Sequence, residues 1–227
     1  MTAGQPHPFI HVVAAAVTDE AGRRLIAQRP AGKHLAGGWE FPGGKLEPGE
    51  ARRTGLAREL REELGILIDA PRPLIRVRHS YPQGAVLLDM WVVHRYRGEP
   101  RGLDGQAIRW CTQDDLEAVE LLPADKPIVA ALRLPDKLTQ AASEHYAIAE
   151  ECGDVAGGRL RGVLCDGLTE AMAGSDAGAD FLVLRNELSH AEITSICEAV
   201  PVPLYARNLT LEEAWALGAT GVNGLPL

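Results

Sequence analysis

The stretch Gly43-Gly-Lys-Leu-Glu-Pro-Gly-Glu50, followed by Arg58-Glu-Leu-Arg-Glu-Glu-Leu-Gly-Ile66, decides how this chain is read. Leu56, Leu60 and Leu64 recur at four-residue spacing, which predicts a helix over 50–64 with one apolar stripe. Gly65 stands where a C-terminal helix glycine belongs. On that helix Glu59, Glu62 and Glu63 are three and four residues apart, so their carboxylates gather on one face. Like charges this close repel unless something positive sits among them. A hard divalent cation with oxygen ligands resolves the conflict, and Mg²⁺ binds through a few carboxylates plus substrate phosphates. Arg58 and Glu50 supply an ion pair that would fix the helix against the preceding loop. The glycines ahead of it let backbone carbonyls approach a metal closely. A solvated amphipathic helix also carries exposed glutamates. It does not account for the glycine-rich approach, the glutamate at the helix start and the Arg-Glu pair in fixed register.

Working outward, Phe9 to Val17 and Arg24 to Gln28 read as strands around a turn at Thr18 to Gly22, which predicts an opening hairpin. Arg29 to Gly44 is rich in glycine and reads as a loop interrupted by a short segment at Trp39-Glu-Phe41. Leu74 to Arg78, Val86 to Tyr96 and Ile108 to Cys111 read as strands, and Asp114 to Val119 and Lys126 to Leu134 as helices. Past Leu134 the texture changes. Pro135 to Gly162 is polar and rich in small residues, with a short helix expected at Ala141 to Glu151. Strands at Gly162 to Cys165, Phe181 to Leu184, Val202 to Ala206 and Gly221 to Asn223 then alternate with helices of about ten residues, the beat of βαβ units and a parallel sheet. The expected organisation is a domain over 1–136, a linker over 137–159 and a parallel β/α module over 160–227.

Charge follows the same division. The 227 residues carry 23 Lys+Arg against 31 Asp+Glu, a formal net charge of −8. Residues 1–136 hold 18 basic and 18 acidic side chains, whereas residues 137–227 hold 5 and 13, so the excess lies in the last part. Without a Lys/Arg block, stable nucleic-acid binding is not expected. No apolar run approaches a membrane span, and the start, Met1-Thr-Ala-Gly-Gln-Pro-His-Pro, lacks a signal-peptide pattern, so no membrane association is expected. Cys111, Cys152, Cys165 and Cys197 are widely spaced thiols without a CxxC pair, consistent with a reducing, cytoplasmic setting.

The pattern Gly44-x5-Glu50-x7-Arg58-Glu59-Leu60-x-Glu62-Glu63-x-Gly65-Ile66 resembles the Nudix box at every fixed position. The surroundings are similar to the MutT branch, the 8-oxo-dGTP diphosphatases, from about Phe9 to Leu134. They include Trp39-Glu-Phe-Pro-Gly-Gly44 and Gly98-Glu-Pro-Arg-Gly-Leu-Asp-Gly-Gln106. The resemblance implies an α/β/α sandwich with a mixed sheet and a water-dependent cleavage of a nucleoside triphosphate to monophosphate and pyrophosphate. It implies Mg²⁺ as cofactor, with Mn²⁺ as a substitute. By position it makes Glu59, Glu62, Glu63 and the Gly43 carbonyl metal ligands, with Asp104 a further acidic one. Glu59 matches the water-activating base, supported by Arg58 and Glu50. Arg29, Glu40 and Phe41 match positions near the purine. Asp125 stands where the MutT pattern has an asparagine that pairs with the oxidised guanine. A carboxylate accepts hydrogen bonds and donates only when protonated. Asp125 therefore accepts from base N–H groups, is held protonated, or marks a different substrate. It could equally cap the helix starting near Lys126. His34 in the loop could touch phosphate but reads first as a surface residue. His79, Tyr81 and Trp91 read as packing or pocket wall, and His11 and His94 as structural.

Leu160 to Leu227 resembles the second half of a thiamine-phosphate-synthase (TenI-like) barrel, through Gly178-Ala-Asp-Phe-Leu-Val-Leu184 and Val202-Pro-Leu-Tyr-Ala206. Where that family has a glycine pair after the second segment, this chain has Arg207-Asn-Leu209, and the loop after Leu184 is shortened to Arg185-Asn-Glu-Leu188. About four strands are expected where a closed barrel needs eight. A degenerate half-barrel follows, with open edges and an apolar face that must pack on the first domain or pair with a second copy in a homodimer. The leading expectation is a nucleotide-pool sanitising hydrolase. The alternatives are a Nudix hydrolase for a dCTP-type or ADP-ribose-type substrate, and a regulatory binding protein with the C-terminal half as interaction module.

Overall fold

Small and β-branched residues from Ile10 to Val17 make a strand that can be buried on both faces, and it lies inside the first sheet. A computed structural model of the chain describes residues 9–30, 32, 34–139, 146–150 and 159–225. Strand β1 (Ile10–Val17) is flanked by β4 (Gly43–Lys45) and β7 (Gly84–Val93), with β6 (Arg72–Tyr81) beyond β7. The β1–β7 pair is parallel and the other two are antiparallel, so the sheet is mixed. A second sheet joins β3 (Trp39–Glu40), β2 (Arg24–Gln28) and β9 (Ile108–Cys111). Strands β5 (Leu67–Asp69) and β8 (Arg95–Arg97) form a small antiparallel pair. Helix α1 (Arg52–Leu64) buries Leu56, Leu60 and Leu64 against Val13, Ala15, Val17, Trp91 and Val93. The opposite face, with Ala14, Ala16 and Met90, packs on α2 (Gln113–Ala118) and α3 (Lys126–Ala131) through Leu116, Ile128 and Ala131. This is the expected α/β/α layering.

Local readings needed correction at three places. The opening hairpin does not form. Strands β1 and β2 pair into different sheets and share one isolated bridge, Thr18 to Arg24, because β1 already has partners on both sides. The expected strand from Val86 to Tyr96 breaks at His94, where the chain leaves β7 to pair with β5 as β8. The segment 137–159 is not only a connection. Strands β10 (Lys137–Leu138) and β11 (Tyr146–Ala149) lie within it, so the expected helix from 141 to 151 is replaced by strand at Tyr146–Ala149, and residues 141–145 and 151 lie outside the described residues.

The second half has six parallel strands instead of about four. They are β10 and β11, then β12 (Leu160–Cys165), β13 (Phe181–Leu184), β14 (Leu204–Ala206) and β15 (Gly221–Asn223), in the order β10-β15-β14-β13-β12-β11. Between the last four run α4 (Leu168–Asp176), α5 (His190–Ala199) and α6 (Leu211–Leu217), which cover one face. The other face is a core of Leu138, Tyr146, Leu160, Phe181, Val183 and Tyr205. There the Phe181 ring meets Tyr146 and Tyr205 edge-on at 5.7 and 5.8 Å, a favoured aromatic geometry. The Tyr146 hydroxyl donates to the Thr139 carbonyl and accepts from the Thr139 N–H, tying the β11 edge to the end of β10. This is a parallel half-barrel.

Of the two ways foreseen to cover the half-barrel, packing on the first half is present. Helices α5 and α6 contact β6. Arg72 pairs with Asp136 and stands 5.0 Å from the centre of the Trp215 ring. The Tyr205 hydroxyl donates to the Pro135 carbonyl at 2.5 Å. No helix among the described residues is long and apolar enough to cross a membrane.

Candidate active site

Helix α1 begins without a local start signal. Ala51 offers no side-chain cap and the first turn carries no acid, whereas Gly65 closes the other end in the left-handed region, φ 71°. That closure turns the chain sharply, so that the Leu103 N–H donates to the Glu63 carbonyl and Gln106 Nε2 reaches the same oxygen at 3.2 Å. Gln106 also accepts from the Asp104 N–H at 2.9 Å. The loop bearing Asp104 is thereby hung on the last turn of the carboxylate helix. The role of Gln106 was not foreseen, although it sits at the end of the segment 98–106 that was singled out.

The turn at Gly43 and Gly44 supplies the other wall. A side chain at Gly43 would collide with the backbone of β1, and one at Gly44 with the carboxylate of Glu59. Glycine is required here for the close approach of the turn to β1 and to the Glu59 carboxylate. The Gly43 N–H donates to Glu63 Oε2 at 3.1 Å. Arg58 sits among the remaining carboxylates. It donates to both Glu50 oxygens at 3.0 and 2.8 Å, to Glu59 at 2.9 Å, to Glu62 at 3.2 Å and to the Lys45 carbonyl at 3.1 Å. The guanidinium therefore answers the like-charge repulsion that the spacing raised. Its hydrogen bonds hold the Glu50 carboxyl down to about 2 and raise Arg58 above its usual range. Glu59 is mostly shielded, with 14% of its side chain exposed, while Glu62 reaches into water with 60%.

Among the described residues no three His, Cys, Asp or Glu side chains converge into a closed cation cage. The donor chemistry nevertheless fits a hard divalent ion. Carboxylates from Glu59, Glu62 and Glu63, with the Gly43 carbonyl beside them, are oxygen ligands of the kind Mg²⁺ takes. Gly44 leaves the space into which the Glu59 carboxylate projects.

A narrow cleft lies next to this cluster, and its lining includes Gln28, Glu40, Phe41, Gly43, Glu63, Asp104 and Gln106. Asp104 thus lines the same cleft as Glu63 of the helix. Arg29 and Glu40 are paired with each other. The Phe41 ring is buried in the core, so its contribution to the site is its backbone. Asp125 occupies the N-cap position of α3, yet its side chain makes no cap bond. It reaches across to accept the Phe41 N–H at 3.1 Å. The capping alternative therefore fails, and the carboxyl is bonded to the backbone of Phe41, a residue of the cleft wall. Only 4% of Asp125 is exposed. Burial first, and the nearby Glu40 charge, push its carboxyl up to about 8, against the opposing pull of the Phe41 N–H and Arg29.

The histidines stand apart from the helix carboxylates. His34 is exposed and meets the Tyr81 ring edge-on at 5.8 Å, and His79 meets the same ring at 4.4 Å. Trp91 is packed in the core under α1. His94 is exposed beyond β7, and His11 lies 3.5 Å from the buried Asp89. Cys111, Cys165 and Cys197 are buried free thiols; burial pushes the last two up to about 12, and Cys152 lies outside the described residues.

Comparison with known proteins follows this geometry. A NUDIX domain model matches residues 13–131. The CTP pyrophosphohydrolase of Escherichia coli (strain K12) is 39% identical over 119 residues, covering 52% of this chain and 88% of that protein. The 8-oxo-dGTP diphosphatase of the same organism is 33% identical over 124 residues, covering 55% and 96%. The solution structure of the E. coli ORF135 protein aligns with a TM-score of 0.50 at 38% identity, covering 55% of this chain and 89% of that one.

Proposed function

Because this chain belongs to the Nudix family, we propose that it is a metal-dependent nucleoside triphosphate pyrophosphohydrolase that removes oxidised nucleotides, 8-oxo-dGTP foremost, from the cytoplasmic pool. The observation that carries this reading is the single cluster built from both parts of the motif. Arg58 ties Glu50, Glu59 and Glu62 together at the Gly43–Gly44 turn, with Glu63 and Asp104 at the edge of a cleft.

Glu59, Glu62, Glu63 and the Gly43 carbonyl would hold Mg²⁺, with Asp104 joining from the loop, and the ion supplies charge neutralisation on the phosphates and a sharper water nucleophile. The protein groups do the rest. Glu59, oriented by Arg58, takes a proton from the attacking water as its oxygen bonds to phosphorus. The phosphoanhydride P–O bond breaks, and monophosphate and pyrophosphate leave. Glu50 holds Arg58, so the base keeps its orientation while its charge changes. Arg29, Glu40 and the Phe41 backbone form the wall that meets the base. Asp125 stays largely protonated at neutral pH; one oxygen accepts from the Phe41 N–H and the hydroxyl is left as a donor, the kind of group an asparagine amide offers.

A second substrate reading rests on the same residue. The relative named for CTP is the more identical of the two quoted, and Asp125 departs from the asparagine pattern. A pyrimidine nucleoside triphosphate of the dCTP type is therefore the competing substrate. Pyrophosphate release from a nucleotide panel with Mg²⁺ decides. Turnover should fall about 10³-fold in Glu59→Gln, the scale of a lost general base. If the wild type turns over no nucleotide, the activity fails. If 8-oxo-dGTP has no advantage over dGTP and dCTP, only the preference fails.

A further inference from the structure

Helix α1 carries the site, but its start is held from elsewhere. Its first turn presents Arg52 and Arg53 to the positive end of the helix dipole, without a cap or an acid. What fixes it is Asp89 on β7, which is 1% exposed and accepts from Arg52 Nη1 at 2.9 Å. The Trp91 ring lies 5.8 and 6.0 Å from the guanidinium carbons of Arg52 and Arg53. A buried carboxylate needs surrounding positive charge. Asp89 has two sources, Arg52 and, at 3.7 Å, Arg76 Nε, with the His11 imidazole a further polar neighbour at 3.5 Å.

Arg76 comes from β6 and is mostly shielded, with only 10% of its side chain exposed. The C-terminal half is packed around it. Its Nη1 lies 3.6 Å from Glu198 of α5, and a side chain at Gly218, just past α6, would press on the guanidinium. Charges therefore alternate from Glu198 to Arg76, to Asp89, to Arg52, across the junction and into the first residue of the carboxylate helix.

Resting on the activity proposed above, we infer that the half-barrel is a positioning element of the hydrolase. By enclosing Arg76 against Asp89 it sets the seat of α1, and Arg76 and Asp89 are positioning residues that never touch substrate. The half-barrel needs no ligand of its own for this role.

The test uses the full chain, measuring kcat, nucleotide KM and the Mg²⁺ concentration giving half-maximal rate, with thermal unfolding alongside. In Arg76→Gln, kcat should fall about tenfold and the Mg²⁺ requirement rise, with KM within about twofold, the range of coupling through a shared network. Arg76→Lys should recover most of the loss. Arg185→Gln breaks ion pairs inside the half-barrel, with Glu150 and Asp166, and should leave both catalytic readouts unchanged even where it lowers Tm. An Arg76→Gln protein with wild-type kcat and Mg²⁺ requirement overturns the inference. So does an Arg185→Gln protein that shifts them equally. Should Arg76→Gln not fold, Glu198→Gln, half-exposed on α5, must still raise the Mg²⁺ requirement about twofold or the inference is lost. A wild type inert toward every nucleotide defeats the proposed activity. An active wild type indifferent to these changes defeats only the positioning role.

Discussion

Helix α1 of the first half and the α5–α6 pair of the half-barrel start in opposite ways. In the half-barrel, α5 and α6 each open with a complete capping box, Ser189 with Glu192 and Thr210 with Glu213. Helix α1 of the first half has no cap and two arginines in its first turn, and is held by Asp89 and Trp91 from the sheet. The acidic side chains that a capping box would use are instead collected on the third and fourth turns, around Arg58. The α5–α6 pair uses acids locally, at helix N-termini, as α2 does with Thr112 and Asp115, whereas α1 concentrates them where they repel. Local signals specify the first kind of helix. In the second kind the start is set by the folded surrounding.

That contrast can be broken in order of expected effect. The largest concerns the half-barrel core. Phe181→Ala removes the ring that joins Tyr146 and Tyr205, and should cost about 4 kcal/mol, read as a lowered denaturation midpoint. If the midpoint does not move, the second half is not a packed unit. Next comes the titration of Asp125. Its folded carboxyl titrates near 8, above its unfolded value near 3.8, so protonation favours the native state. The stabilisation is complete below about pH 4 and is lost as pH rises toward about 8. Glu50, lowered to about 2, works in the opposite direction, adding stability as pH rises from about 2 to about 4.5. Melting curves of wild type and Asp125→Asn from pH 5 to 8 should therefore diverge, with the variant losing less. Parallel curves would mean that Asp125 is not held protonated. The smallest effect is at a cap. Ser189→Ala should destabilise by about 1 kcal/mol. Ala51→Ser, which gives α1 a cap residue, sharpens the comparison if it changes stability by less.

The sequence made the first half legible because chemistry ties residue types to positions there. Gly43, Gly44, Glu50, Arg58 and Glu59 meet in space as their spacing demands. The βα beat likewise revealed β12 to β15 and their helices. What stayed hidden has physical reasons. A run of apolar residues shows that β1 is a strand but not which sheet claims it, so the hairpin with β2 was a false inference. Strands β10 and β11 are two and four residues long and lie in polar surroundings, where no alternation can emerge. The reach of Asp125 to Phe41 spans 84 positions of chain, beyond any local rule. No spacing marks Asp89, a lone acid between Val86 and Tyr96, and only the fold shows that it gathers Arg52, Arg76 and His11.

The placement of β10 also bears on the order in which the protein can assemble during synthesis. Strand β10 follows directly on the first half, yet its only ladder partner among the described residues is β15, more than eighty positions later. The Val222 N–H closes on the Asp136 carbonyl and Gly224 on Leu138 at the same seam. The first half can complete its sheets while the chain is still being made, whereas the seam must wait for β15 to emerge. Contacts so far apart in sequence form slowly. Until they form, Lys137 and Leu138 are an unpaired strand edge beside a finished domain, and this interval is when a nascent chain of this protein would most need a chaperone.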